Sequence, residues 1–573
     1  MNGSDYIATE LERRGVTHVF ELVGGMITFL LDSIAQKTKI KIVSMHHEQG
    51  AGFAAEGYAR MTGRPGVAMA TSGPGATNLL TAIGSCYFDS TPCVFITGQV
   101  NRHEQRGSRA IRQLGFQETD IVSMAKPITK AAWLVNELAD LPRFLNAAFE
   151  LASSGRPGPV LLDVPMDVQR AEVDFSRADL EVRTPKCATQ ENPSEFWHKA
   201  MHTLTRSFRP LVLVGGGIRS AGVDPAFRNF VQALGVPVVN SLMGSDALAG
   251  NDPLRVGMIG SYGNRWANKA LGECDWLLVL GSRLDIRQTG ADTDSFRGKR
   301  KFFHVDCEPG EMNNRIKGCV TLTTQLREFI GYAISQPSPL HRFWSEWVEQ
   351  LKVNEAAAPD AAECTGPGIN PNALVRLLAE HGKDASAFVT DVGQHQMWAA
   401  QSLRLGENQR LLTSGGMGAM GFGLPAAIGA CLASGKPVVL IVGDGGLQVN
   451  IQELQTVARL RLPIRIIVLN NGCHGMVRQF QEAYFSGRYQ STLDGYSAPD
   501  FSAVARAYGI PSQAGPIEDE IGLGVIPSLM RESGPVLIDV AINPMANAYP
   551  KLAFGRPITE MEPQVAPVGM EAT

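Results

Sequence analysis

The chain has 573 residues, more than one hydrophobic core can organise, so several domains are expected. Apolar residues make up 44%, charged residues 19%, and the net charge is −4, which fits a well-buried globular protein and excludes a nucleic-acid-binding or general membrane surface. The nine cysteines are scattered with no C-x-x-C pair, no apolar run reaches the ~18 residues of a membrane span, and the N-terminus lacks a signal-type apolar core, so a cytoplasmic protein without membrane or nucleic-acid partners is expected.

Residues 1–175 alternate helix and strand. Asp5–Arg14 reads as an amphipathic helix, Thr17–Phe20 as a strand, and Gly24-Gly25 as the turn after it. Lys39–Met45 is a second strand, ending at His46-His47-Glu48-Gln49-Gly50, and Ala51–Met61 is a small-residue helix suited to close packing. Gly66–Ser72 leads into Gly73-Pro74-Gly75 and a helix over 76–87, and Val94–Thr97 and Val160–Val164 continue the strands. Such alternation predicts α/β architecture with doubly wound parallel sheets. A polar stretch at 171–200 reads as a linker. A second unit, 190–340, has strands Leu211–Val214, Val236–Asn240, Trp276–Leu280 and Phe302–Asp306. Residues 352–371 read as a second linker, 368–550 as a third unit, and 551–573 as a Pro-rich tail that drapes over a surface.

The third unit holds the most specific pattern. Val438–Val442 is a buried-strand run, Gly443-Asp444-Gly445-Gly446 reads as a sharp turn, Gln452–Leu460 as a helix stopped by Pro463, and Ile464–Leu469 as a strand ending at Asn470-Asn471. Ligands of open α/β sheets bind beyond the carboxyl ends of the strands. Asp444 and Asn471 are hard oxygen donors at such ends and suit Mg²⁺. The glycines admit phosphates to backbone N–H groups at a helix N-terminus.

G-D-G followed some two dozen residues later by N-N resembles the motif of thiamine-diphosphate enzymes. That resemblance implies that Asp444, Asn471 and the backbone carbonyl of Cys473 hold Mg²⁺, and that Glu48 pairs with the aminopyrimidine of thiamine diphosphate. Its extent is broad. EGYARMTGRPGVAMATSGPGATN, Gly98-Gln99-Val100, Phe116-Gln117-Glu118-Thr119-Asp120, the segment 154–159, TDVGQHQMWAAQ and TSGGMGAMGFGLPAAI resemble the acetolactate synthase family. The resemblance names the three units as pyrimidine-binding, FAD-binding-type and diphosphate-binding domains. It implies that Met420 supports the cofactor, that the Gly418 carbonyl takes its 4′-amino group, and that Gln394 and His395 lie near the diphosphate. Gly25, Pro74, Asn78, Gly443, Gly445, Gly446 and Met476 join the cofactor set, and Phe116, Gln117 and Phe480 the substrate side.

Gly215-Gly216-Gly217 after a strand is by itself as often a turn as a dinucleotide signal. With Leu242, Met243, Gly260, Gly281, Arg283, Asp285, Arg287, Asp306 and Arg156 it resembles the family's site for FAD, a structural rather than redox group there. Arg287 has two readings: a grip on the second keto acid's carboxylate, or a salt bridge or FAD contact. The implied reaction decarboxylates pyruvate and passes the two-carbon unit to a second carbonyl acceptor, within a homodimer or homotetramer; a small regulatory subunit leaves no mark in the sequence.

Four departures bear on the acceptor. The family's R-Q-W-Q, whose tryptophan favours 2-ketobutyrate, is R-Q-F-Q with Phe480; its P-K-D-V has Met166; its D-D-R is Asp285-Ile286-Arg287; its G-Y-P-G-G-A is Glu21-Leu22-Val23-Gly24-Gly25-Met26. A longer segment before Phe116 carries Arg102, Arg106, Arg109 and Arg112. It reads either as a solvated loop or as a grip on a phosphate-bearing acceptor, because guanidinium forks match phosphate. Acetyl transfer to a nucleotide-linked keto-sugar is therefore one alternative, and a flavin-linked pyruvate oxidase or a decarboxylase is another.

Overall fold

The computed structural model describes residues 1–172, 191–336 and 344–568. Three parallel sheets form in succession. The first runs Lys41–Ser44, His18–Leu22, Gly66–Ala70, Cys93–Gln99, Pro159–Pro165, Ala131–Leu134 in spatial order. The second runs Val320–Thr323, Lys301–Asp306, Trp276–Leu280, Pro210–Val214, Val238–Asn240, Arg255–Met258. The third runs Arg410–Thr413, Ala387–Thr390, Val438–Gly443, Ile464–Asn470, Val536–Ala541. Central strands such as Val438–Gly443 are buried along their whole length, as expected where helices cover both faces.

Strand order fixes where ligands can enter. In each sheet the chain winds outward and then returns to the other side of its first strand. The third sheet switches between Ala387–Thr390 and Val438–Gly443, and the second between Pro210–Val214 and Trp276–Leu280. A crevice opens at the carboxyl ends of such strand pairs.

The first and third sheets share one core. Helix Glu48–Thr62 lies against helix Gly423–Ser434, and glycines let the backbones meet. A Cβ on Gly429 would stand 1.9 Å from the Ala54 carbonyl oxygen, and one on Gly57 2.3 Å from that of Ala426. The Phe53 and Phe422 rings meet edge to face at 5.5 Å.

Several expectations change. The glycine run after Val442 is not a turn: the strand continues through Gly443, and Asp444–Val449 is helical. Its glycines give room rather than reversal, since a Cβ on Gly446 would lie 2.5 Å from Asp391 Oδ1. The next helix is Leu454–Leu460, after a 3₁₀ turn at Ile451–Glu453. Part of the first linker is helix Pro193–Leu204, started by an Asn192 cap; residues 173–190 lie outside the described residues. Helix Ser345–Ala357 runs into the second linker. The tail is not merely draped: Lys551–Leu552 pairs antiparallel with Met561–Glu562, and the Leu552 amide donates to the Ser261 carbonyl at 2.7 Å.

Candidate active site and flavin-type cavity

The switch point of the third sheet gathers oxygen atoms. Asp444 opens its helix and is 2% exposed; Asn471 follows the neighbouring strand and is 7% exposed. Asn471 Oδ1 lies 2.8 Å from the Cys473 carbonyl oxygen and 3.1 Å from Asp444 Oδ1. Three oxygens this close, with no proton among them, repel one another. Turning the amide would put a donor there, but it would also set the amide oxygen against Gln394 Oε1, which the Asn471 NH₂ now meets at 3.1 Å. A cation between the three oxygens removes the conflict and leaves the amide as it stands. The donor set of one carboxylate, one amide and one carbonyl suits Mg²⁺. No cluster of three or more His, Cys, Asp or Glu side chains suited to a metal occurs among the described residues.

Around these oxygens the backbone is bare. A Cβ on Gly443 would touch the His395 ring at 2.9 Å, and one on Gly445 would touch His474 at 2.9 Å and the Met420 methyl at 3.3 Å. Burial pushes the Asp444 carboxyl up to about 6, against the pull of a hydrogen bond from Tyr496. Burial lowers His395 to about 4, so its ring is neutral at pH 7, and its Nε2 has no hydrogen-bond partner. Gln394 Nε2 donates to the Ala546 carbonyl at 2.9 Å. Gly418 holds φ +67°, which turns the loop carrying Met420. Met476, in helix Gly475–Tyr484, packs on the third unit's core.

A second cluster forms at the first sheet. Glu48 begins its helix, is 6% exposed, and accepts a 2.9 Å hydrogen bond from the Asn78 amide. A Cβ on Gly75 would lie 3.1 Å from Glu48 Oε1. Pro74 opens the short helix that carries Asn78, and Gly25 opens a 3₁₀ turn with open space beside its Cα. Gln117, at φ +65°, packs on Gly73; Phe116 beside it is 80% exposed. Phe480 is also exposed and meets the Tyr484 ring at 4.8 Å.

Within one chain the two clusters stay apart. No hydrogen bond or ion pair among the described residues joins Glu48 or Asn78 to Asp444, Asn471 or Cys473. The nearest link is Asn450 Nδ2 donating to Gln49 Oε1 at 3.2 Å. Asn450 caps the far end of helix Asp444–Val449, about 9 Å along the axis from Asp444 at 1.5 Å per residue.

The second sheet's switch point opens into a cavity of about 520 Å³. Arg156, Gly216, Gly217, Leu242, Met243, Gly281, Arg283, Asp285, Arg287 and Asp306 line it. Gly215 and Gly260 stand behind the wall, where each admits a neighbouring carbonyl: a Cβ would lie 2.1 Å from that of Gly281 and 2.4 Å from that of Arg287. Arg156 is tied to Glu308 at 2.7 Å and Glu311 at 2.6 Å.

The structure adds residues that sequence reading missed. Asp391, at the end of strand Ala387–Thr390, accepts from the amides of Gly421 and Gly423 and sets the Met420 loop. Asp89, on the cavity wall, accepts from the amides of Gly415 at 3.0 Å and Gly416 at 2.6 Å, tying the cavity to that loop. A strand-end acid, as in T-D-V-G, was the available signal for Asp391; Asp89 had none. Three of the four loop arginines are already engaged within the chain. Arg102 Nε donates to Asp167 at 2.7 Å, and Arg106 and Arg109 donate to the carbonyls of Ile111 and Gln105.

Comparison with known proteins follows the same division. Residues 1–124 match the thiamine pyrophosphate enzyme N-terminal TPP binding domain, 197–332 the central domain, and 391–540 the C-terminal TPP binding domain. Acetolactate synthase isozyme 2 large subunit of Escherichia coli K12 is 38% identical over 568 residues, spanning 98% of this chain and 99% of that protein. Acetolactate synthase of Arthrospira platensis is 36% identical over 579 residues, 98% and 97% of the two chains. The acetolactate synthase large subunit of Lactococcus lactis IL1403 is 36% identical over 563 residues, 98% and 96%.

Proposed function

We propose that this chain, which belongs to the acetolactate synthase family of thiamine pyrophosphate enzymes, works through a site built from two copies of itself. The protein is a transferase that decarboxylates pyruvate and joins the two-carbon unit to a second pyruvate, giving 2-acetolactate. Its cofactors are thiamine diphosphate, Mg²⁺ and FAD. The observation that supports the reading is the set of three oxygens on Asp444, Asn471 and Cys473, which suits a cation beside bare glycine backbone.

Thiamine diphosphate supplies, when bound, a nucleophilic carbon and an electron sink for decarboxylation. Asp444, Asn471 and the Cys473 carbonyl would hold the metal, and the bare backbone at Gly445 and Gly446 would leave room for the phosphates. Neutral His395 and Gln394 would line the same cradle. Met420 would give the cofactor an apolar support, and the Gly418 carbonyl would accept from its amino group. Glu48, oriented by Asn78, would hold a proton at the pyrimidine ring nitrogen. Phe116, Gln117 and Phe480 would line the acceptor side, and the exposed rings of Phe116 and Phe480 suit a site closed by a second chain. The sugar-transfer, oxidase and decarboxylase alternatives are not favoured by relatives that are synthases along the whole chain. FAD occupies the central cavity as a structural group.

A homodimer is the minimum unit in this proposal, because Glu48 lies near the wrong end of its own chain's Asp444 helix. A cytoplasmic location is part of the same proposal, supported by nine scattered cysteines with no C-x-x-C pair. No helix among the described residues is long and apolar enough to cross a membrane. Two relatives are large subunits, and co-purification tests for a smaller companion here. The activity is tested by mass spectrometry of products from pyruvate with all three cofactors, with and without 2-ketobutyrate or a nucleotide keto-sugar. 2-Acetolactate as main product is expected; peroxide, free acetaldehyde or a branched sugar as main product overturns the reading.

A further inference from the structure

The loop between helix Gly475–Tyr484 and helix Phe501–Ala507 is exposed over most of its length, with Thr492 buried and Tyr496 half-buried. The Tyr496 hydroxyl donates to Asp444 Oδ2 at 3.0 Å. That is the carboxylate oxygen turned away from Asn471, since Oδ1 is the one at 3.1 Å from its amide oxygen. Two further contacts fix the phenol. Its ring packs on His474 at 4.4 Å, and its oxygen accepts from Gln448 Nε2, on the Asp444 helix, at 3.5 Å. The rest of the loop is anchored nearby: the His474 amide donates to the Thr492 carbonyl at 3.2 Å.

A carboxylate on a single Cβ can present either oxygen, or both, to a cation. A donor on one oxygen removes that freedom. Partners of this kind orient metal ligands and raise affinity without touching the metal. We propose that Tyr496 is a positioning residue of the metal site, holding Asp444 so that one oxygen alone meets the cation and latching its loop onto the loaded site. This rests on the metal assignment made above.

The test uses the full chain stripped of metal and cofactor, with Mn²⁺ as the probe, titrated by electron paramagnetic resonance in the presence of thiamine diphosphate. Tyr496→Phe keeps the ring and removes only the donor; Tyr489→Phe, in the same loop, is the control. Tyr496→Phe is expected to raise the Mn²⁺ dissociation constant about 10- to 100-fold, with Tyr489→Phe unchanged. Equal Mn²⁺ affinity in wild type and Tyr496→Phe overturns the inference. Failure of the wild type to bind Mn²⁺ with thiamine diphosphate overturns instead the metal assignment beneath it.

Discussion

Asp163 shows how one buried carboxyl supports the substrate side. It lies within strand Pro159–Pro165 and accepts from Thr97 Oγ1 at 2.7 Å and Gln99 Nε2 at 2.8 Å. Gln99 Nε2 also donates to the Thr119 carbonyl at 2.8 Å, which pins the loop carrying Phe116 and Gln117. Burial pushes Asp163 up to about 7, although both side-chain donors oppose it. The folded protein therefore holds a proton there that the unfolded chain releases near its ordinary value of about 4. Between those two values the native state binds more protons, so stability falls as pH rises. Asp163→Asn removes that proton, and the variant's stability should depend less steeply on pH between about 4 and 7, by at most a few kcal/mol. Denaturant melts at pH 5 and pH 8 measure this; equal pH dependence in the two proteins refutes it. At this scale the sequence was informative where chemistry sits at a strand end, as with Asp444 and Asn471. It was silent on Tyr496 and Asp89, whose partners lie 52 and over 300 positions away.

Helix Glu48–Thr62 carries the most demanding packing between elements. Gly429 and Gly57 let two backbones approach closer than any side chain allows, and the first and third sheets share a core there. Gly429→Ala should destabilise the protein by about 1–3 kcal/mol or more through overpacking, read as a lower melting temperature. An unchanged melting temperature would show that the helices can part freely. Elements of this kind were partly legible. Long β-branched runs such as Val438–Val442 and Ile464–Leu469 announced central strands, because burial on both faces leaves few polar positions, Arg465 with its Asp384 partner being one. Edge strands Ala131–Leu134 and Arg255–Met258 went unread, since they are short and made ordinary by neighbours outside the sequence window. The glycine run at 443–446 misled for a physical reason: glycine marks close approach as well as reversal, and here it marks approach.

Over the whole molecule, two switch points supply two candidate sites, one gathering the oxygens of Asp444, Asn471 and Cys473 and one opening into a cavity of about 520 Å³. The fold class could be read from residue types and spacing; the proposed metal–diphosphate anchor was suggested by the same spacing, and the proposed role of Glu48 only by family resemblance. What the sequence could not convey is that Gln49, beside Glu48, meets Asn450 at the distal end of its own chain's Asp444 helix. The central claim is that each site takes Glu48 from one chain and Asp444 from the other. Chains bearing Glu48→Gln and chains bearing Asp444→Asn are to be co-expressed with different tags, the mixed dimers isolated through both, and 2-acetolactate measured. Each variant alone is expected to be nearly inactive. A mixed dimer keeps one intact site of two, so isolated heterodimers should regain about half the wild-type activity per chain, and a random mixture about a quarter. Doubly tagged dimers that stay inactive, while binding thiamine diphosphate and Mg²⁺ as the Glu48→Gln chain does, would contradict the account.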